Sequence, residues 1–159
     1  MMARRKYLFL DFDGVLHPVS ALQSFAMRMP RRAAIQQGRL FRWTQILEEL
    51  LHGSDVHIIV HSAWRRLVGE PELLEYLGLL AARYCGVTNF ELTRWNGIRH
   101  AVAQLSLNEG EWCVLDDHAS QFPDPLPSEV VLCDPELGIW DASVRNRIRA
   151  WAIGEPHQG

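Results

Sequence analysis

Apolar residues in this chain fall into two alternating patterns, short unbroken runs and longer stripes of helical spacing. Lys6–Asp11 carries Tyr7-Leu8-Phe9-Leu10, and Val56–His61 reads Val-His-Ile-Ile-Val-His. Trp112–Asp116 and Glu129–Cys133 have the same character, and Arg83–Val87 is a fifth, less regular run. Short β-branched runs bounded by polar residues predict buried strands. Between them, Thr44–His52 sets Ile46, Leu47, Leu50 and Leu51 on one stripe with Glu48 and Glu49 turned away. Glu70-Pro71 with Glu72 marks a helix start ahead of Leu73, Leu74, Leu77 and Leu80. Ile98–Leu107 repeats Ile98, Val102 and Leu105, and Ser143–Ile153 repeats Val144, Ile148, Trp151 and Ala152. These are helical periods. The alternation predicts an α/β, Rossmann-like fold: an open, mostly parallel five-stranded sheet with helices on both faces. His17–Arg42 is the one long irregular piece, longer than an ordinary strand-to-helix loop.

Composition narrows the class without changing it. A chain of 159 residues, 48% apolar and 22% charged, suits one soluble globular domain. We place that domain at residues 1–154, with 18–42 as a small insertion or flap and 155–159 as a flexible tail. No apolar run reaches the roughly 18–20 residues that span a membrane. The basic start Met1-Met2-Ala3-Arg4-Arg5-Lys6 leads into an apolar run of only about five residues, too short for a secretory signal, so a cytoplasmic protein is expected. Cys85, Cys113 and Cys133 are odd in number and lack metal-ligand spacing, which points to buried, reduced thiols. Charge is uneven: residues 1–42 hold eight basic and two acidic residues, net +6, and the rest eight and seventeen, net −9. A basic flank favours an anionic substrate such as a nucleic acid, though charge runs more commonly mean a solvated face.

Candidate chemistry gathers where the strands end. Asp11 and Asp13 stand two residues apart as the first strand opens into a glycine turn at Gly14. In extended chain such side chains project to one side, and open α/β sheets bind ligands at the carboxyl ends of their strands. Two carboxylates held this close repel unless a cation or shared proton relieves them. Ser62 follows the second strand, and Asp116-Asp117 close the fourth. Each alone has a plain reading as a turn or helix cap. Three strands ending in hydroxyl or carboxylate groups make an oxygen-rich pocket suited to Mg2+. The seven histidines are scattered, and each alone reads as surface or satisfied core rather than ligand.

These residues resemble the haloacid dehalogenase-like (HAD) superfamily of aspartate-nucleophile phosphohydrolases. Asp11-Phe12-Asp13-Gly14-Val15-Leu16 matches its first motif, Ser62 the second, and Asp116-Asp117 the fourth. The third motif is a basic residue, usually Lys, early in the helix before the fourth strand. The only lysine is Lys6, so the role falls to an arginine: Arg99 fits best, with Arg94 as the fallback. His17-Pro18, Ser62-Ala63-Trp64-Arg65, Gly86-Val87-Thr88 and Asp134-Pro135-Glu136-Leu137-Gly138-Ile139 are similar to a subgroup seen in RNA-repair (Swiss Army Knife) proteins and in small stand-alone bacterial chains.

The resemblance implies a Mg2+-dependent phosphatase working through an aspartyl-phosphate. Asp11 would be nucleophile and Asp13 general acid and base. Ser62 and Arg99 would bind the phosphoryl group, and Arg65 the substrate. Asp11, the Asp13 carbonyl, Asp116 and Asp117 would hold the metal, one of the last two through water. About 25 inserted residues cannot build a large cap domain, so an open site is expected. That suits a nucleic-acid end, or a phosphorylated small molecule in a homodimer whose partner chain supplies the cover. The alternatives are a polynucleotide-end phosphatase in repair, and a catalytically silent HAD-fold binding module. A receiver-like protein is disfavoured because the third strand lacks a terminal Asp.

Overall fold

The computed structural model describes residues 5–154. The 155–159 tail and the first four residues, with their part of the basic start, lie outside the described residues. Five strands, β1 (Lys6–Leu10), β2 (Val56–Val60), β3 (Tyr84–Val87), β4 (Trp112–Asp116) and β5 (Val130–Leu132), form one sheet in the order β3-β2-β1-β4-β5. Every pairing is parallel. Leu10 stands opposite Val60 on one side and Leu115 on the other. The chain winds outward to β3 and then crosses back to β4, so the order reverses beside β1. A crevice opens at such a reversal, at the carboxyl ends of the strands.

Alternation along the strands divides the core in two. Leu8, Leu10, Ile58, Val60 and Leu115 face a large cluster filled by Leu47 and Leu51 of α2 (Thr44–Leu51), Leu73 and Leu77 of α4 (Glu70–Leu77), and Val144 and Ile148 of α6 (Ala142–Ala152). Phe9, Ile59, Val114 and Val130 face a smaller cluster closed by Ile98 of α5 (Arg94–Gln104) and by Phe122. Helices therefore cover both faces, with α5 alone on the second. Burial of each large apolar side chain contributes about 1.5–3 kcal/mol, which suffices to fix the register.

Several local expectations are revised. α5 begins at Arg94, four residues before the apolar stripe, because the Thr93 hydroxyl accepts the Asn96 amide hydrogen at 3.3 Å and caps it. Leu105 is exposed at its end. α4 stops at Leu77 and Leu80 lies in a 3-10 turn, Gly78–Arg83, entered through Gly78 at φ 56°. Cys113 and Cys133 are buried thiols, but Cys85 is exposed on edge strand β3.

The stretch read as irregular is folded. It comprises a 3-10 helix, Val19–Met27, and α1 (Arg31–Gly38), whose Ala21, Leu22, Phe25 and Ile35 pack on the larger cluster. Buried Ser24 ties the two pieces by donating to the Ala34 carbonyl at 2.8 Å. Gly38 is needed there, since a Cβ would lie 2.5 Å from the Ala21 oxygen. Arg31 and Arg32 pair with Glu72 and Glu75 of α4, both at 3.1 Å, so part of the basic flank is neutralised within the molecule. The Glu136 carboxylate accepts the Ser20 amide and hydroxyl at 3.0 and 2.6 Å, which joins the start of the insertion to the loop after β5. Two short helices make no large cap.

Candidate active site

The ladders beside β1 continue one step past the strands: Asp11 N–H donates to Leu115 O at 3.1 Å, and His61 N–H to Leu10 O at 3.0 Å. Phe9, Ile59 and Val114 share the α5 face. Two positions further on, Asp11, His61 and Asp116 continue that stripe, replacing apolar groups with ionisable ones. α5 is laid on this face by Ile98, so its first residue reaches the strand ends. Arg94 Nη1 donates to both Asp116 oxygens, at 3.0 and 2.8 Å, and lies 3.5 Å from Asp11 Oδ2.

The electrostatics separate the acids. Asp116 is fully buried, yet His61 Nε2 at 2.8 Å, Arg94 and the His118 amide at 2.8 Å all face it. Burial alone would raise its pKa, but these partners outweigh it and hold the carboxyl below its usual range. Asp11 is pushed well above that range, first by burial and then by Asp116, with Arg94 opposing and Asp117 and Asp13 adding to the rise. Asp117 is raised for the same leading reason, burial. Burial also lowers His61, so its ring is neutral, with Nε2–H donating to Asp116 and Nδ1 buried without a partner.

Asp13 follows two residues after Asp11, in the loop leaving β1. Its Oδ1 meets His17 Nε2 at 2.7 Å and Trp64 Nε1 at 2.9 Å. Gly14 then turns the chain through φ +76°, and a Cβ on it would lie 2.2 Å from Asp117 Oδ2. Only glycine satisfies both demands. The close approach brings the first and fourth motifs together.

Among the remaining expected residues, Ser62 is fully buried after β2, and its Oγ accepts at 3.2 Å the amide hydrogen of Trp64, the first residue of the short helix α3 (Trp64–Leu67). Arg65 does not stand free: its Nη1 donates to the His61 and Ser62 carbonyls at 2.6 and 2.7 Å, clasping the turn. Arg99 is not brought to the site. It is exposed, and a position five residues into the helix lies about 7.5 Å along the axis from Arg94. The structure therefore gives the guanidinium beside Asp11 to Arg94. The sequence marked His17, Trp64 and Thr88 only as parts of subgroup motifs and gave no role to them or to His61; the Thr88 hydroxyl is buried without a hydrogen-bond partner. For His61, a histidine two positions beyond an inward-facing strand residue was the available signal.

A cation has a place here. Asp116, Asp117 and His118 offer ligand atoms within 4.8 Å of one another. Asp116 already receives four N–H contacts, whereas Asp117 Oδ1 is buried without a hydrogen-bond partner, the His118 ring nitrogen standing 3.7 Å away. An orphaned carboxylate oxygen beside Asp11 is a donor set for a hard, oxygen-seeking ion.

A family model described as the HAD domain in Swiss Army Knife RNA repair proteins matches residues 7–144. No curated protein and no solved structure matches the chain.

Proposed function

The chain belongs to the family of HAD domains found in Swiss Army Knife RNA repair proteins, and from that premise we propose that it is a Mg2+-dependent phosphatase of phosphate monoesters. The observation that carries this reading is the convergence of Asp11, Asp13, Asp117 and Arg94 at the carboxyl ends of the strands, with Asp117 Oδ1 left without a hydrogen-bond partner.

Asp11 is the nucleophile. One of its oxygens bonds to phosphorus as the ester P–O bond breaks, giving an aspartyl-phosphate. Asp13 gives its proton to the departing oxygen, then takes one from the water that cleaves the acyl phosphate and releases Asp11. Ser62 accepts from Trp64 N–H, which leaves its own hydrogen to donate to a phosphoryl oxygen. Arg94 carries permanent positive charge beside Asp11 and neutralises charge gathering on the phosphoryl group. Asp116 positions Arg94 and His61. Asp11, the Asp13 carbonyl and Asp117 would hold Mg2+, which when bound cancels the repulsion between carboxylate and phosphate. Arg65 acts through the turn bearing Ser62 rather than through substrate.

A second reading, a polynucleotide-end phosphatase, is favoured by the family description, which concerns RNA repair. Pairing of Arg31 and Arg32 with acids of α4 weakens the basic flank that first suggested it. The test is phosphate release from an aryl phosphate by wild type and Asp11→Asn, with Mg2+ and with chelator. Turnover requiring both Asp11 and Mg2+ supports the phosphatase. Turnover indifferent to Asp11 refutes it. Phosphorylated oligonucleotides and nucleotides compared at equal concentration then choose the substrate class.

A further inference from the structure

Asp13 is held by two groups that nothing in the reading above requires. His17 is fully buried, and its Nδ1 accepts the Phe41 backbone N–H at 3.1 Å. An amide nitrogen only donates, so Nδ1 is bare and the proton of a neutral ring sits on Nε2. Nε2–H therefore donates to Asp13 Oδ1 at 2.7 Å. The indole of Trp64 has one polar hydrogen and no acceptor, and it donates to the same oxygen at 2.9 Å. Both donors are rigid: Trp64 is almost wholly buried, and the Phe41 ring packs edge-on against His17 and Trp64 at 5.1 and 5.3 Å. Phe41 itself adopts φ 63°, a left-handed conformation unusual for an aromatic residue, in the turn that aims its N–H at the imidazole.

We propose that His17 and Trp64 are positioning residues for proton transfer at Asp13: both N–H groups claim Oδ1, which leaves Oδ2 as the oxygen that exchanges a proton with the leaving group. This rests on the phosphatase reading. An oxygen receiving two N–H donors has no room for a proton of its own, so the proton of the neutral carboxyl is confined to Oδ2. Flipping the carboxyl would set an O–H against two N–H donors and is disfavoured. The Asp13 side chain is 30% exposed, so it is held from one side and open on another. In the first step the ester P–O bond breaks, the Asp11–phosphorus bond forms, and the Oδ2 proton moves to the departing oxygen. In the second, water bonds to phosphorus, its proton moves to Oδ2, and the Asp11–phosphorus bond breaks. The insertion thereby enters the chemistry, because Phe41 at its end fixes the His17 tautomer.

The experiment compares wild type, Trp64→Phe, His17→Leu, His17→Gln and Asp13→Asn on phosphate monoesters graded from nitrophenyl to alkyl. Folding of each is checked by circular dichroism. A nitrophenolate leaves without help, whereas an alkoxide needs the proton. Trp64→Phe and His17→Leu should lose about tenfold on alkyl esters and about twofold or less on nitrophenyl phosphate, steepening the dependence on leaving-group pKa in the direction of Asp13→Asn. His17→Gln, whose amide can donate in place of Nε2–H, should recover the wild-type slope. Equal losses across the series, or unchanged rates, would overturn the positioning role while leaving the phosphatase intact. Absence of turnover by wild type on every ester would overturn the phosphatase reading, and this role with it. If His17→Leu does not fold, Trp64→Phe decides alone.

Discussion

At Asp11 two demands conflict. The nucleophile we propose must be ionised, yet burial and three neighbouring carboxylates hold this group well above the ordinary range. Asp11→Asn removes a charge the metal-free protein holds at a cost, so it should raise stability at neutral pH while reducing turnover at least about 10³-fold. Urea denaturation in chelator, paired with phosphate release, checks both. A gain in stability with loss of function marks a functional acid, because a structural one would lose both. Gly14→Ala should do the reverse. A side chain at φ +76° costs about 1–2 kcal/mol and its Cβ must also displace Asp117 Oδ2, so stability and metal response should fall together. Thermal melts with and without Mg2+ would show it.

The element that decides the site is α5, through where it starts. Arg94→Ala should cost about 3 kcal/mol, since it strands Asp116 and Asp11 without their cation. Arg99→Ala, on the exposed side, should stay within about 0.5 kcal/mol and leave turnover unchanged. Chemical denaturation and assay of the pair test the assignment. The sequence shows why this was misjudged. Its apolar stripe begins at Ile98, so Arg99 looked like the first turn, but the cap at Thr93 starts the helix earlier with no apolar residue except Trp95 to announce it. β1, β2, β4 and β5 were legible because buried parallel strands read as apolar runs, and the acids ending them followed from chain order alone. Val19–Gly38 was not legible. α1 is Arg-Arg-Ala-Ala-Ile-Gln-Gln-Gly, and its fold depends on Ser24 and Gly38 meeting across a turn, contacts that no period encodes. The His17–Asp13–Trp64 group was illegible for the same reason, since it joins residues 51 positions apart.

Over the whole molecule, the proposed metal and protons would compete for one set of oxygens, and the acids themselves set the pH dependence of stability. Asp11 and Asp117 have folded pKa values raised above the unfolded value near 3.8. The folded protein thus binds their protons more tightly than the unfolded chain does. Their contribution is intact below that value and is lost as pH rises through the folded pKa values. Asp116 is lowered, so its contribution is present above the unfolded value and is lost as pH falls through its folded one. In chelator, stability should therefore decline as pH rises above the unfolded value and Asp11 and Asp117 ionise. A cation held by those carboxylates binds only once the protons leave. At ten times its dissociation constant it adds about 1.4 kcal/mol, or about 3–5 °C in Tm. The increment from Mg2+ should be near zero at pH 4, reach that size at pH 7.5, and fall sharply in Asp11→Asn. Scanning calorimetry across that range, with and without Mg2+, measures it. An increment of equal size at both pH values would place the metal away from these acids.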